Sequence, residues 1–188
     1  MHGDEKWQLF LPNGESIAGA GRKWQFGNPE ENEMDIVGGV GLFLYRRGTN
    51  GLEFLWQQRS EFVHNAGKWD FSAAGHVDLG ESFAEAAVRE LREELGVEAI
   101  EEDLEFILKF RSYRGMITAN YLMDWNDRKD DFVLDSQEVA AVKWVTYEEM
   151  EDFWVNNAKI PMSKNIITLE IIKSWAKRKY PEIADGNL

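Results

Sequence analysis

Glu90, Glu93 and Glu94 are the groups in this sequence best placed to do chemistry. On an α-helix, residues i, i+3 and i+4 share a face, so these three carboxylates fall within an arc of about 100°. Gathered in this way, each pair costs the helix a few tenths of a kcal/mol. Glu93 and Glu94 also sit near the C-terminal end of the expected helix, where its dipole disfavours negative charge. A hard divalent cation, magnesium or manganese, binds clustered carboxylate oxygens and removes the repulsion. Most acidic helix faces are simply solvated, and three neighbouring features weigh against that here. A loop bounded by Gly75 and Gly80 can bring backbone close to a ligand. Arg89 lies one turn from both Glu85 and Glu93 and can anchor a carboxylate. The arc formed by Ala84, Ala87, Val88, Leu91 and Leu95 is apolar and faces the core, which gives the acidic side a fixed orientation.

The carboxylates need a frame. Ser82 to Leu95 reads as a helix free of Pro and Gly and closed by Gly96. Trp7 to Leu11 reads as a strand ended by a turn at Pro12-Asn13-Gly14, and Gly14 to Glu33 as loop with a strand around Lys23 to Phe26. Ile36 to Arg46 and Leu52 to Arg59 read as a hairpin, Phe71 to Val77 as a short strand. Leu104 to Tyr113 and Met116 to Trp125 read as strands joined at Arg114-Gly115, and Val139 to Val145 as a further strand. Helices are expected near Tyr147 to Asn156 and over Lys164 to Lys179, the latter with a basic end that suits its dipole. Together these elements predict a mixed sheet between helices, in one domain over 1–188 with a strand-and-loop extension at 1–33.

Thirty-four acidic residues against twenty-one basic ones give a net charge of −13. Such a surface repels nucleic-acid backbones and anionic membranes, which excludes both as expected partners. It repels phosphate esters too, so a phosphate-handling protein of this charge needs cations at its site. The chain has no Cys, which removes disulfides, thiolate zinc sites and a cysteine nucleophile. The start lacks a signal-peptide pattern, and no apolar run approaches the ~20 residues that span a bilayer. A cytoplasmic protein is therefore expected.

The stretch from Gly75 to Val97 resembles the Nudix box, Gly-x5-Glu-x7-Arg-Glu-U-x-Glu-Glu-x-Gly-U with U aliphatic, and matches it at every specified position. Seven fixed letters match by chance with a probability on the order of 10⁻⁵ for this composition. Leu55 to Arg59, Gly67 to Gly75 and Glu138 to Val145 also look like the strands that flank the box. The resemblance implies an α/β fold, a Nudix-type α/β/α sandwich with a mixed β-sheet. It implies that Glu90, Glu93 and Glu94 bind metal, that Glu81 supports the site through water or weaker ligation, and that Arg89 orients a box glutamate. The implied activity is metal-dependent hydrolysis of a pyrophosphate bond in a nucleoside-diphosphate-linked or similar small diphosphate. Glu93 or Glu94 can double as general base, and Glu138, before the strand ending at Trp144, is the candidate from outside the box. Arg59 and Lys68 are candidate cations for substrate phosphates. Tyr113 falls about where diadenosine-polyphosphate hydrolases often carry a Tyr, and Phe62, Trp69 and Tyr121 either stack on a base or fill the core. His76 reads as structural. A homodimer is left open.

Two other readings compete. The flanks resemble the subgroup related to isopentenyl-diphosphate isomerase, whose catalytic cysteine lies in a segment corresponding here to Ser72-Ala73-Ala74. Its later-strand glutamates correspond to the run from Met116 to Tyr121. A non-catalytic nucleotide sensor is the third reading, usually signalled by degenerate box glutamates, and none is degenerate here. ADP-ribose hydrolases often have a Pro beyond the box, and there is none between Val97 and Met150. Substrate identity stays open.

Overall fold

A computed structural model describes residues 6–11, 15–21, 36–49, 51–111, 116–157 and 162–184. Its centre is β3 (Ile36–Gly48), whose run from Ile36 to Tyr45 is buried on both faces. A continuous apolar run of this kind is what a strand covered on both sides requires. One edge of β3 carries β8 (Ile117–Asp124) in parallel, in register from Gly38↔Ile117 to Tyr45↔Asp124. The other edge takes three antiparallel partners in turn: β1 (Lys6–Phe10), β6 (Ala73–His76) and β4 (Gly51–Arg59). Beyond them lie β2 (Ser16–Gly21), β5 (Trp69–Asp70) and β9 (Val139–Thr146), while β7 (Leu104–Arg111) pairs with β8. The parallel β3–β8 pair within otherwise antiparallel ladders makes the sheet mixed, as expected.

Alternation along the strands separates two cores. Leu42, Leu44, Leu55 and Ala73 face α1 (Phe83–Leu95) and pack with its Ala87, Leu91 and Leu95. Phe43, Phe54 and Trp56 face the other way, toward Trp154 of α2 (Met150–Asn157) and Leu169, Ile172 and Trp175 of α3 (Met162–Lys179). Edge-on aromatic contacts such as Trp56 against Trp154 at 5.1 Å hold that second layer. The result is the α/β/α sandwich that the box implied.

Several expectations need adjustment. Gly14 to Glu33 is not loop throughout, because Ser16–Gly21 forms β2 and pairs with β1, Trp7 opposite Ala20. Its Gly- and Ala-rich run has no apolar period to announce a strand, and the neighbouring ladder induces one. The N-terminal segment is therefore built into the sheet, with Phe10 opposite Ile36. A short α4 (Pro181–Ala184) follows α3, starting on a Pro, which fits the first turn of a helix. The strand expected at Lys23 to Phe26 and the turn at Arg114-Gly115 lie outside the described residues. Among the described residues no helix is long and apolar enough to cross a membrane.

Candidate active site

The site is assembled by α1 and the strand it crosses. Ser82 caps the helix: its Oγ accepts from the Glu85 N–H at 3.0 Å, and Glu85 Oε2 accepts from the Ser82 N–H at 2.7 Å. This reciprocal pair fixes the first turn, and it commits Glu85 to the cap, away from Arg89. At the other end Gly96 adopts φ 67°. A Cβ there would also press on Val133, in the segment that leads to Glu138.

Arg89 is the hub of the acidic face. Its Nε and Nη2 donate to the two oxygens of Glu81 at 2.8 and 3.1 Å, and Nη2 also donates to the His76 carbonyl at 2.8 Å. Its Nη1 donates to Glu90 Oε1 at 2.9 Å and to Glu93 Oε2 at 3.0 Å. Burial opposes its charge, yet the acidic partners hold its pKa above the ordinary value. A planar guanidinium suits this work, because a forked donor can bind several carboxylates at once.

Glu90 lies across Gly75 of β6, so closely that a Cβ at Gly75 would overlap its carboxylate. That is the physical need for glycine at the start of the box. Burial pushes the Glu90 carboxyl up to about 7, with Glu93 and Glu138 pushing the same way and Arg89 opposing them. Glu94 is buried at 2 % exposure. Its Oε2 accepts from Gln57 Nε2 and from the Ala74 N–H, both at 2.9 Å. No cation answers it among its described hydrogen-bond and ion-pair partners, and burial, then Glu90, Glu138 and Asp70, hold its pKa well above the usual carboxylate range.

Glu90, Glu93, Glu94, Glu81 and Arg89 are thus brought together as the sequence suggested. Glu138 joins them from a distant part of the chain. Its carbonyl accepts from the Ser60 N–H at 2.9 Å, and Asp135 N–H donates to the Glu94 carbonyl at 3.1 Å, so its segment is tied to β4 and to α1. Arg59 reaches the edge of the site but is engaged there, 3.5 Å from Asp70 and donating from Nε to the His64 carbonyl. Lys68 is exposed in the turn before β5. His76 stacks on Trp7 at 4.1 Å, a structural role. Trp69 packs against the α2–α3 core, Tyr121 is buried in the α1 core, and Phe62 is 65 % exposed. Tyr113 lies outside the described residues.

Two residues escaped the sequence reading. Gln57 and Asp70 are buried polar groups that touch or polarise Glu94. A Gln inside an otherwise apolar strand was the available signal for the first, since buried polar side chains need partners.

The donor set fits a hard divalent cation. Glu94 is buried and Glu90 partly buried on one helix face, Arg89 donates to Glu90, and Gln57 Oε1 is buried beside Glu94 without a hydrogen-bond partner. Oxygen donors of this kind suit magnesium or manganese. The carboxylates are neighbours rather than a closed ligand shell: among the described residues no three His, Asp or Glu side chains converge on one point, because Arg89 spans Glu81, Glu90 and Glu93.

A capped, glutamate-bearing helix laid across a glycine of a mixed sheet defines a recognisable class of α/β/α protein. The family model of the NUDIX domain matches residues 36–166, and the chain belongs to that family. It is similar to the CTP pyrophosphohydrolase of Escherichia coli, 34% identical over 137 residues, which is 72% of this chain and 95% of that protein. It is also similar to an isopentenyl-diphosphate Delta-isomerase of Photobacterium profundum, 28% identical over 116 residues, 58% of this chain and 64% of the isomerase. Against Nudix hydrolase 3 of Arabidopsis thaliana, 36% identical over 116 residues, the match covers 54% of this chain and 15% of that protein. In structure it resembles DR0079 of Deinococcus radiodurans, with a TM-score of 0.65 and 21% identity over 87% of this chain and 98% of that one, a likeness of fold.

Proposed function

We propose that the protein is a hydrolase that cleaves a pyrophosphate bond in a small, nucleoside-diphosphate-linked or similar diphosphate with the help of magnesium or manganese. The observation that carries this reading is the geometry of the box helix: Glu90 laid against Gly75, Glu93 on the same face, and Glu94 buried with Gln57 and the Ala74 N–H as its hydrogen-bond donors. Glu90, Glu93 and Glu94 are the candidate ligands, with Glu81 acting through Arg89, to which it is bonded at both oxygens. When bound, the cation supplies charge neutralisation at the phosphate oxygens and a lowered pKa for water. Glu138 is exposed beside Glu90 and Glu94 and is the better-placed acceptor for the proton of the attacking water. Glu93 is held by Arg89, and Glu94 already accepts two hydrogen bonds. Lys68 is the exposed cation available to substrate phosphates, and Arg59 reaches them by exchanging its Asp70 partner. On this reading 1–188 is one domain that acts in the cytoplasm on a small-molecule diphosphate, as a monomer or a homodimer.

The test is a hydrolysis screen in Mg²⁺ or Mn²⁺ over nucleoside triphosphates, dinucleotides, sugar nucleotides, coenzyme A and prenyl diphosphates. Phosphate or nucleoside monophosphate should be released, and both EDTA and Glu94→Gln should abolish release. Double-bond migration in isopentenyl diphosphate without hydrolysis would sink the reading. The absence of any Cys weighs against that outcome. Tight nucleotide binding with no turnover would make the protein a sensor.

A further inference from the structure

The box loop, residues 76–81, joins β6 to α1 and carries two anchors of Arg89, the His76 carbonyl and the Glu81 carboxylate. It follows β3 as far as Val77, whose N–H donates to the Gly38 carbonyl at 3.1 Å. Where it leaves β3 it is received by β1, a strand that precedes the stretch 36–166 matched by the family model. The Gln8 N–H donates to the Val77 carbonyl and the Leu79 N–H to the Lys6 carbonyl, both at 2.8 Å, and Trp7 bridges Asp78 between them. The Trp7 ring lies on the His76 ring, 12° from parallel. Gln8 is buried at 4 % exposure, where an amide is costly unless it is bonded. Both its ends are used: Nε2 donates to the Ile17 carbonyl of β2, and Oε1 accepts from the Gly80 N–H at 3.1 Å. Gly80 has φ 92°, so this bond from outside the loop fixes a residue whose own backbone is permissive.

The clamp passes on to the acidic face. Asp78 donates its N–H to Glu81 Oε2 at 3.0 Å, and its carbonyl accepts from the Glu81 N–H. Glu81 and the His76 carbonyl in turn fix the guanidinium that serves Glu90 and Glu93. A loop without a ladder of its own keeps its shape through such outside bonds.

We propose that β1 is part of the candidate active site, with Trp7 and Gln8 as positioning residues that set the box carboxylates through the loop, Glu81 and Arg89. The inference rests on the hydrolase reading and extends its site to a strand outside the matched domain. Groups that orient metal ligands from behind carry about 10–100-fold in metal affinity.

The test compares full-length Gln8→Met, Trp7→Leu and Trp7→Phe with Ile172→Ala, which opens a cavity in the α2–α3 core on the other side of the sheet. Titration calorimetry with Mg²⁺ alone, hydrolysis kinetics and thermal unfolding in EDTA are read for each. Gln8→Met and Trp7→Leu should weaken Mg²⁺ binding per folded molecule by about 10-fold and lower kcat for the best substrate of the screen with KM unchanged. Trp7→Phe keeps an aromatic on His76 and should recover most of both losses. Ile172→Ala should lower the melting temperature and leave Mg²⁺ affinity and kcat as in the wild type. Trp7 is half-buried, so its variants carry the test if Gln8→Met does not fold. Mg²⁺ affinity unchanged in Trp7→Leu, or lost equally in Ile172→Ala, would overturn the assignment, while hydrolysis by the wild type would leave the hydrolase reading standing. Mg²⁺ affinity that depends on Trp7, without hydrolysis of any probe, would uphold the clamp and remove the hydrolase reading. A wild type that does not bind Mg²⁺ would overturn both.

Discussion

Stability of the metal-free protein should fall as pH rises, and Glu90 sets the size of the effect. Its carboxyl is raised from 4.5 to about 7 in the folded state, first by burial and then by Glu93 and Glu138, against the pull of Arg89. The folded protein therefore holds this proton more tightly than the unfolded chain does. The contribution is fully present below about pH 4.5 and is lost as pH rises through about 7. At about 1.36 kcal/mol per unit, the shift corresponds to about 3 kcal/mol. For a chain of this size that is on the order of 10 °C in melting temperature. Glu94, raised in the same direction, adds to it. The assay is urea unfolding in EDTA from pH 5.5 to 8.5 for the wild type and Glu90→Gln. The variant keeps an acceptor for Arg89 but cannot ionise, so its profile over this range should be flatter by about 2 kcal/mol, the part of the effect lost between pH 5.5 and about 7. Mg²⁺ should stabilise the wild type more at pH 8 than at pH 5.5, since cation and proton compete for the same oxygens. A metal-free stability that rises between pH 5.5 and 8, or a Glu90→Gln profile parallel to wild type, would refute the argument.

Three further outcomes follow from particular contacts. Gly75→Ala puts a methyl group where the Glu90 carboxylate lies, and titration calorimetry should show Mg²⁺ or Mn²⁺ affinity reduced by about 10–100-fold. Arg89→Lys replaces a fork that serves Glu81, Glu90, Glu93 and the His76 carbonyl with a single ammonium. Denaturant melts in EDTA at pH 7.5 should record a loss of about 3 kcal/mol, and a change within error would remove Arg89 as the organiser of the face. Ser82→Ala should cost about 1 kcal/mol by breaking the cap of α1, lowering the melting temperature while hydrolysis per folded molecule is unchanged.

The box helix was readable residue by residue, because helical geometry alone puts Glu90, Glu93 and Glu94 on one face and Leu91 and Leu95 on the neighbouring one. Its electrostatics were not. Spacing offers Arg89 both Glu85 and Glu93 as partners. The structure gives Glu85 to the Ser82 cap and sends Arg89 toward Glu81 and Glu90. The Ser-x-x-Glu spacing that signals such a cap stands in the sequence at Ser82 and Glu85. Pairing to β1 turned Ser16–Gly21 into a strand that its own residues did not announce.

What the sequence by itself determined is the carboxylate face, the shortage of positive charge that calls for cations, and the absence of a thiol. These depend on residue identity and on periods of a few residues, which local geometry settles. What the tertiary structure decided is which groups share that face's environment. Gln57, Asp70 and Glu138 are brought to Glu94 by sheet register and a returning loop, and Gly75 to Glu90 by the crossing of α1 over β6. Burial is also decided there. A carboxylate's solvent is a property of everything packed around it, and no spacing along the chain encodes it.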